Sequence, residues 1–163
     1  MKKLIAVAVV AMMILGTSVS ANEWNKIRVG VEGAYPPFSW VEKDGTLKGF
    51  DIDIAMALCE EIGAECVLVP QDWDGIIPAL LARKYDAIIA SMSITEERKK
   101  KVAFSEKYYN TPAKFARKKG SGITISKAGL KGKTVGVQRA TTHDNFITGE
   151  FGDSVEIKRY GTQ

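Results

Sequence analysis

Apolar positions along the chain alternate between runs that suit a strand and spacings that suit a helix. Lys26–Val31 is short and largely apolar, which is typical of a buried strand. Phe50–Ile62 instead spaces its apolar residues as on one face of a helix (Ile52, Ala55, Cys59 and Ile62). Gly63 follows, and glycine often ends a helix. The loop between these two elements contains Tyr35-Pro36-Pro37 and a turn at Lys43-Asp44-Gly45.

The same alternation continues to residue 98. Glu65–Val69 reads as the next strand, and Asp74 is placed to cap a helix that runs to about Lys84. Asp86–Ala90 is a third, short apolar strand, and Thr95 is a candidate cap for a brief helix. Strands that alternate with helices favour a parallel sheet with crossover helices, so the sequence predicts an α/β fold.

A second α/β pattern begins after an extended stretch. Tyr108–Arg117 contains Pro112, so we expect a crossing segment there rather than a core strand. The pattern that follows has a candidate cap at Ser126, then a strand, a helix and a strand (Lys133–Val137, Thr141–Thr148 and Val155–Tyr160). We expect this second unit to be incomplete at Gln163.

The first 21 residues predict an export signal rather than part of the fold. Lys2 and Lys3 precede the apolar run Leu4–Gly16, and Val19-Ser20-Ala21 offers small residues for cleavage. The apolar run has 13 residues, which is short of the roughly 20 that span a bilayer. An uncleaved anchor is the alternative.

The composition excludes several classes of protein. With 45% hydrophobic and 26% charged residues, the chain is neither disordered nor collagen-like. Two cysteines are too few for a cysteine-based zinc ribbon, and the single histidine, His143, excludes a multi-histidine metal site. The net charge of +4 includes the two lysines of the export signal, so it gives little support for a nucleic-acid or membrane partner. We expect neither a metal nor a cofactor.

Two serines and an arginine follow the third predicted strand. Ser91 and Ser93 are two apart in an extended segment, so they point to one side at the edge where open α/β sheets bind ligands. Arg98 lies one helical turn beyond Thr95 and can swing back over the same place. Two hydroxyl donors and a guanidinium suit a carboxylate. The alternative is a surface loop with Arg98 in the solvated basic run Arg98–Lys101.

Other candidate residues follow the first two strands. Tyr35 and Trp73 can sandwich a flat, aliphatic or cationic group, although each can instead be a core residue. Glu32 can neutralise a basic ligand, or it can be an ordinary exposed carboxylate. Asp51 and Asp53 lie near a helix start, where the dipole stabilises negative charge, so we interpret them as structural.

Two further features concern the second unit and the cysteines. Gln138–His143 follows a strand and opens a helix, whose free N–H groups attract anions, so it can close on the same carboxylate. No G-x-S-x-G motif and no nucleophile that pairs with His143 is present in the sequence. Cys59 and Cys66 are either a disulfide, favoured by export, or two buried thiols.

Taken together, three of these segments resemble the periplasmic solute-binding proteins of polar amino-acid ABC importers, especially the lysine/arginine/ornithine and histidine binders. The segments are Gly49–Ala55 (GFDIDIA), Asp72–Leu80 (DWDGIIPAL) and Asp86–Arg98 (DAIIASMSITEER). The resemblance implies a two-lobe α/β periplasmic-binding-protein fold. It divides the chain into a signal peptide, first lobe, crossing and start of a second lobe (1–21, 22–109, 110–113 and 114–163).

The resemblance also implies the roles of particular residues. Ser91, Ser93 and Arg98 would hold the α-carboxylate of the ligand, helped by Thr142 from the second lobe. Tyr35 and Trp73 would stack on the ligand side chain, and Glu32 stands where basic-amino-acid binders keep an acidic group. The family disulfide corresponds in spacing to Cys59 and Cys66.

Two departures from the family pattern accompany the resemblance. Ala90 replaces a serine that the basic-amino-acid binders place at the strand end. The aspartate that grips the α-amino group in the family has no counterpart here, and neither do the final elements of the first lobe. We therefore expect a fragment or an interrupted gene product.

The implied function is capture of a free amino acid, with a basic one favoured, by closure of two lobes. An inner-membrane ABC permease would sense the closed form of this periplasmic protein, which is expected to be monomeric at full length and to bind no nucleic acid. The prediction is that it is not an enzyme. Two alternatives are a cyclohexadienyl dehydratase-like enzyme, with Glu32 or His143 as acid or base, and the sensor domain of a receptor.

Overall fold

The computed structural model of the chain describes residues 24–163, so the predicted signal peptide lies outside the described residues. The strands are β1 to β8 (Lys26–Val31, Ala34–Tyr35, Ser39–Val41, Leu47–Lys48, Glu65–Pro70, Ala87–Ile88, Thr134–Gln138 and Glu156–Tyr160). The helices are α1 to α5 (Phe50–Ile62, Ile76–Leu81, Glu96–Lys99, Lys127–Leu130 and Thr142–Phe151), and a 3₁₀ turn at Trp73–Gly75 precedes α2.

A parallel sheet of three strands, in the order β5-β1-β6, organises the first lobe. The central strand β1 pairs with β5 from Lys26 opposite Glu65, and with β6 at Val29 opposite Ala87. The crossover from β1 to β5 contains α1, and the crossover from β5 to β6 contains α2. The predicted β-α-β-α-β order with parallel strands is confirmed, and the three strand ends meet at one edge.

Helix α1 packs its apolar face on the central strand. Ile52, Ala55 and Cys59 are buried with Val29 and Val31 in one cluster. The helix has the predicted bounds, and Gly63 ends it in the left-handed conformation (φ 76°). Ile62, predicted on the buried face, is instead 57% exposed because it lies in the last turn, beyond the edge of this cluster.

The second crossover differs from the prediction. Asp74 makes no capping hydrogen bond and lies inside the 3₁₀ turn, while α2 ends at Leu81 rather than near Lys84. The predicted strand Asp86–Ala90 is reduced to Ala87–Ile88. Its neighbours still pack, because Tyr85 and Ala90 are buried against α2.

A small antiparallel sheet of β2, β3 and β4 stands where the sequence predicts a loop. Its strands have two or three residues each, so they show no apolar period. The predicted turn at Lys43-Asp44-Gly45 joins β3 to β4, and Gly45 donates a hydrogen bond to the Glu42 carbonyl (3.0 Å).

The second lobe contains the parallel pair β7 and β8 with α5 between them. Its strand and helix assignments agree with the predictions within three residues at each end. The predicted caps at Thr95 and Ser126 are confirmed, because Thr95 accepts from the Arg98 N–H (3.2 Å) and Ser126 accepts from the Gly129 N–H (3.1 Å). No helix or strand is present between α3 and α4, as predicted for the crossing stretch.

The two cysteines form a disulfide, which confirms one of the two alternatives. Cys59 and Cys66 are bonded, with Cα atoms 5.6 Å apart. The bond ties the end of α1 to the start of β5 and closes a short loop. In the chain-entropy account such a loop stabilises the fold by about 2.5 kcal/mol.

The tightest approach in this sheet lies between Gly30 in β1 and Tyr85, whose hydroxyl donates a hydrogen bond to the Ile76 carbonyl. A Cβ atom at Gly30 would stand 2.5–2.8 Å from three ring carbons of Tyr85. Tyr85 is 1% exposed, so its ring has no free space to move into. We expect Gly30→Ala to lower the free energy of unfolding by about 1–3 kcal/mol in urea denaturation.

Gly149→Ala in α5 is the matched control, because nothing lies within 4 Å of the added Cβ. Alanine is there expected to be neutral or to stabilise the helix by about 0.5–1 kcal/mol. Equal stability of Gly30→Ala and the unaltered protein would contradict the close-packing account.

Candidate functional site

The ligand-binding residues predicted from the sequence lie around one hollow. It lies at the carboxyl ends of the parallel strands, where the second lobe meets the first. All seven predicted ligand residues line it (Glu32, Tyr35, Trp73, Ser91, Ser93, Arg98 and Thr142). Five further residues complete the lining (Ala90, Gln138, Thr141, His143 and Gln163). The strand order explains the convergence, because Glu32 follows β1, Trp73 follows β5 and Ser91 follows β6.

Arg98 presents a positive charge to this hollow. Its guanidinium donates to the Ser93 carbonyl (2.8 Å) and lies 5.2 Å from the centre of the Trp73 ring. It forms no salt bridge within the described part of the chain. Burial lowers the pKa of Arg98. A half-buried cation held only by carbonyls and a ring retains the capacity to pair with an anion.

The location of Arg98 contradicts one reading of its segment, that of a solvated basic run. The three lysines that follow it, Lys99–Lys101, are exposed, whereas Arg98 is half-buried. It therefore departs from the solvated basic run to which the alternative assigned it. The cap at Thr95 contributes, because it begins α3 at a point from which the Arg98 side chain reaches back to Ser93.

The two serines differ in whether their hydroxyl hydrogen is free to donate to a ligand. The Ser91 hydroxyl donates to Asp51 (2.7 Å), and its backbone N–H donates to the hydroxyl of Tyr108 (2.9 Å). The Ser93 hydroxyl forms no hydrogen bond among residues 24–163, and Ser93 is exposed. The expectation that both hydroxyls donate to a ligand carboxylate therefore fits Ser93, whereas the hydrogen of Ser91 is already in use.

Glu32 supplies a negative charge to the same hollow. It is only 9% exposed, which contradicts the reading as an ordinary surface carboxylate. The Nε2 atom of Gln138 in the second lobe donates a hydrogen bond to it. Burial raises the pKa of Glu32, and the charges of Asp72 and Asp51 raise it further, while the bond from Gln138 lowers it.

The two aromatic residues both pack and face the hollow. The Tyr35 ring stacks on Phe38 with centroids 5.1 Å apart. Trp73 packs against the cluster around Ile76, and its ring also contacts the guanidinium of Arg98. The core role and the hollow-lining role, which the sequence left as alternatives, are thus combined in each residue.

The second lobe reaches the first mainly through the turn before α5. The Ala140 carbonyl accepts from the Trp73 indole (3.0 Å) and from Arg98 (3.4 Å), and Ala140 itself is left-handed (φ 59°). Arg139 forms a salt bridge with Asp74 (2.7 Å). The sequence predicted that this segment closes on the site, but a carbonyl and an ion pair make the contacts rather than free N–H groups.

Two residues that contact the site through Ser91, without lining the hollow, were missed by the sequence analysis or given only a structural role. Asp51 was interpreted through the helix dipole, and Tyr108 was assigned only to the crossing stretch. In the structure the Tyr108 hydroxyl donates to Asp51 (2.9 Å), and both contact Ser91. The one available signal was that Asp51 stands directly beside the buried Ile52 at a helix start.

No cluster of histidine, cysteine, aspartate or glutamate suited to a metal ion occurs within residues 24–163. Over the same residues, no helix combines the length and the apolar character that crossing a bilayer requires.

Comparison with known proteins gives concordant results. The L-arginine-binding protein of Pseudomonas aeruginosa is 48% identical over 164 residues, which cover 100% of this chain and 63% of that protein. The structure is similar to an ancestral arginine-binding protein bound to arginine, with a TM-score of 0.77, 39% identity and coverage of 86% of this chain and 62% of that one.

A second structural neighbour bears on the dehydratase alternative. It is an ancestral amino acid-binding protein that is a precursor of cyclohexadienyl dehydratase, with a TM-score of 0.74 and 35% identity. The structural match covers 85% of this chain and 62% of that one. These relatives are binding proteins, and this chain spans about 63% of the length of the P. aeruginosa protein.

The family model for bacterial extracellular solute-binding proteins, family 3, matches residues 27–155. The match contains the parallel sheet except Lys26, the lining of the hollow except Gln163, and the turn from the second lobe that meets it. The predicted family and the two-lobe α/β fold are therefore confirmed, and the chain belongs to family 3 of the bacterial extracellular solute-binding proteins.

Proposed function

We propose that this chain is the ligand-binding part of an ABC importer's solute-binding protein and captures a basic amino acid. The observation that carries the proposal is the pair of opposite charges in one hollow. Arg98 lacks an acidic partner in the described part of the chain, while Glu32 is buried and accepts only from an amide. A ligand with a carboxylate at one end and a cation at the other satisfies both.

The residues between these charges support a basic side chain in particular. Tyr35 and Trp73 line the hollow, and aromatic faces attract cations such as guanidinium. The names of the P. aeruginosa relative and of the ancestral structure both specify arginine. Arginine is therefore our first candidate ligand, with Ser91, Ser93, Arg98 and Thr142 at its amino-acid head group.

Closure of the two lobes is the proposed mechanism. Groups from both lobes line the hollow, so a ligand bound there bridges them and stabilises the closed arrangement. An inner-membrane permease would recognise that arrangement. The family's description as extracellular supports export to the periplasm, and the protein is proposed to act as a monomer.

The dehydratase reading is the second candidate. It is favoured by the precursor among the structural neighbours and by the raised pKa of Glu32, which suits an acid. We propose binding without turnover, because the relatives that this chain resembles are named as binding proteins. Formation of phenylpyruvate or phenylalanine from prephenate or arogenate would favour the enzyme.

Calorimetric titration of the full chain tests the proposed ligand class. We expect arginine, lysine or ornithine to bind, and glutamate not to bind, because Glu32 repels a second carboxylate and attracts a cation. Histidine and glutamine serve as intermediate cases. Binding of glutamate together with no detectable binding of arginine would overturn the proposal.

Substitution of Arg98 tests the carboxylate site. Arg98→Ala is expected to weaken arginine binding by 100-fold or more, at the upper end of about 1.5–3 kcal/mol per charged hydrogen bond. Arg98→Lys keeps the charge but cannot pair with both carboxylate oxygens as a guanidinium does, so we expect the affinity for arginine to fall by about tenfold. Lys100→Ala, at an exposed residue two positions along, is the control. Unchanged affinity in Arg98→Ala would place the carboxylate elsewhere.

The pH dependence of binding tests Glu32. A protonated Glu32 is neutral, so affinity for arginine falls as the pH drops below the pKa of Glu32, by about tenfold per pH unit. Since that pKa lies above the ordinary value of 4.5, the fall begins at a higher pH than for an exposed glutamate. Titrations between pH 4 and 8 measure it.

Glu32→Gln is expected to bind arginine more weakly and with a flat profile over this range. Citrulline, the uncharged isostere of arginine, is the ligand control, because its affinity should not follow the ionisation of Glu32. An identical pH profile for Glu32→Gln and the unaltered protein would refute the role of this carboxylate.

A further inference from the structure

Two hydrogen bonds converge on the buried carboxylate of Asp51, and a third links the two residues that donate them. Asp51 is 0% exposed at the start of α1. It accepts from the Ser91 hydroxyl at one oxygen (2.7 Å) and from the Tyr108 hydroxyl at the other (2.9 Å). The Tyr108 oxygen in turn accepts from the Ser91 N–H (2.9 Å). These bonds form a closed ring that joins a helix, the loop after β6 and the crossing stretch.

The ring decides what Ser91 can offer a ligand. A serine has one backbone N–H and one hydroxyl hydrogen to donate, and here both are used within the protein. The lone pairs of Oγ remain, so the side chain can only accept. An acceptor suits the ammonium of an amino acid, whereas the carboxylate needs donors.

The backbone at Ser91 shows that the ring also fixes the loop. Ser91 has φ 51°, in the left-handed region that serine rarely occupies. Such a conformation persists where surrounding contacts hold it. The contacts present are the two bonds from Ser91 to Tyr108 and Asp51.

The charge of Asp51 acts in the same direction. Burial raises the pKa of Asp51, while the hydrogen bonds from Ser91 and Tyr108 oppose that shift and favour the ionised form. When ionised, Asp51 polarises the Ser91 hydroxyl and makes its oxygen a better acceptor. It also places a negative charge behind the point where a cation would bind.

We propose that Asp51 is a positioning residue of the binding site: with Tyr108 it occupies both donors of Ser91, so that Ser91 accepts from the ligand's α-ammonium while Arg98 holds the carboxylate. The inference rests on the proposed amino-acid binding and assigns the two ends of the head group to different residues. Ser91 then acts as a hydrogen-bond acceptor, whereas the hydroxyl of the nearby Ser93 is free to donate.

The test compares two ligands in five forms of the full chain. Arginine carries the α-ammonium, and 5-guanidinopentanoate is the same molecule without it. The variants are Asp51→Asn and Tyr108→Phe, with Asp53→Asn and Tyr109→Phe as matched controls. Asp53 is exposed in the same helical turn, and the Tyr109 hydroxyl makes no hydrogen bond within residues 24–163. Calorimetry gives the dissociation constant of each ligand.

We expect the unaltered protein to bind arginine more tightly than 5-guanidinopentanoate. Asp51→Asn and Tyr108→Phe should lower the affinity for arginine by about tenfold and change the affinity for 5-guanidinopentanoate by no more than about twofold. The reason is that only arginine has the α-ammonium that donates to the Ser91 oxygen. The controls should keep the full preference. Damage to the fold would weaken both ligands together, so the ratio of the two constants separates positioning from a structural role.

Three outcomes would overturn the inference while the proposed function stands. They are equal affinities of the unaltered protein for the two ligands, an unchanged ratio in Tyr108→Phe, and an unchanged ratio in an Asp51→Asn variant that melts normally. If the unaltered protein binds neither arginine nor any amino acid of the panel, the proposed function itself fails. Tyr108→Phe removes one oxygen at a partly exposed residue, so it keeps the test decisive if Asp51→Asn fails to fold.

Discussion

The close approach of three parallel strands is the constraint on which the site depends. Strand β1 lies between β5 and β6, so the segments that follow the strands leave the sheet at the same edge. Glu32, Trp73 and Ser91 lie within three residues of the ends of those strands, although they are far apart in sequence. A side chain at Gly30 would separate β1 from Tyr85. The packing at this glycine and the grouping of charges at the strand ends are therefore parts of one arrangement.

Desolvated charge is the main energetic cost of that arrangement. Glu32 is buried and Arg98 half-buried, and each has a pKa shifted toward its neutral form. Neither has an oppositely charged partner among the described residues; neutral groups such as the Gln138 amide and the Ser93 carbonyl hold them. A neutral dipole offsets burial of a charge less well than a counter-ion does. A zwitterionic ligand with a cationic side chain supplies what both lack, which is the physical basis of the proposed ligand class.

The sequence predicted most of the first sheet because its signals are local. The spacing of apolar residues and Gly63 fixed the bounds of α1, and alternation of strands with helices fixed the parallel order. Tertiary contacts set the remainder. Asp74 pairs with Arg139 instead of capping a helix. The bonds from Asp51 span 40 residues to Ser91 and 57 to Tyr108, a distance over which no local pattern carries information. Position after the predicted strands grouped six of the seven predicted ligand residues, and the family resemblance added Thr142.

The contacts that join the lobes use some of the groups that a ligand needs. Arg98 donates to the Ala140 carbonyl at 3.4 Å, its longer bond, and to the Ser93 carbonyl at 2.8 Å. A ligand carboxylate that displaces the carbonyl of Ala140 exchanges a long neutral contact for a charged one, while the bond to Ser93 can remain. Glu32 and Gln138 form the corresponding contact at the other charge. At Arg98, ligand binding would then strengthen a closure that the lobes already form in part, because the carboxylate replaces only the longer of the two contacts.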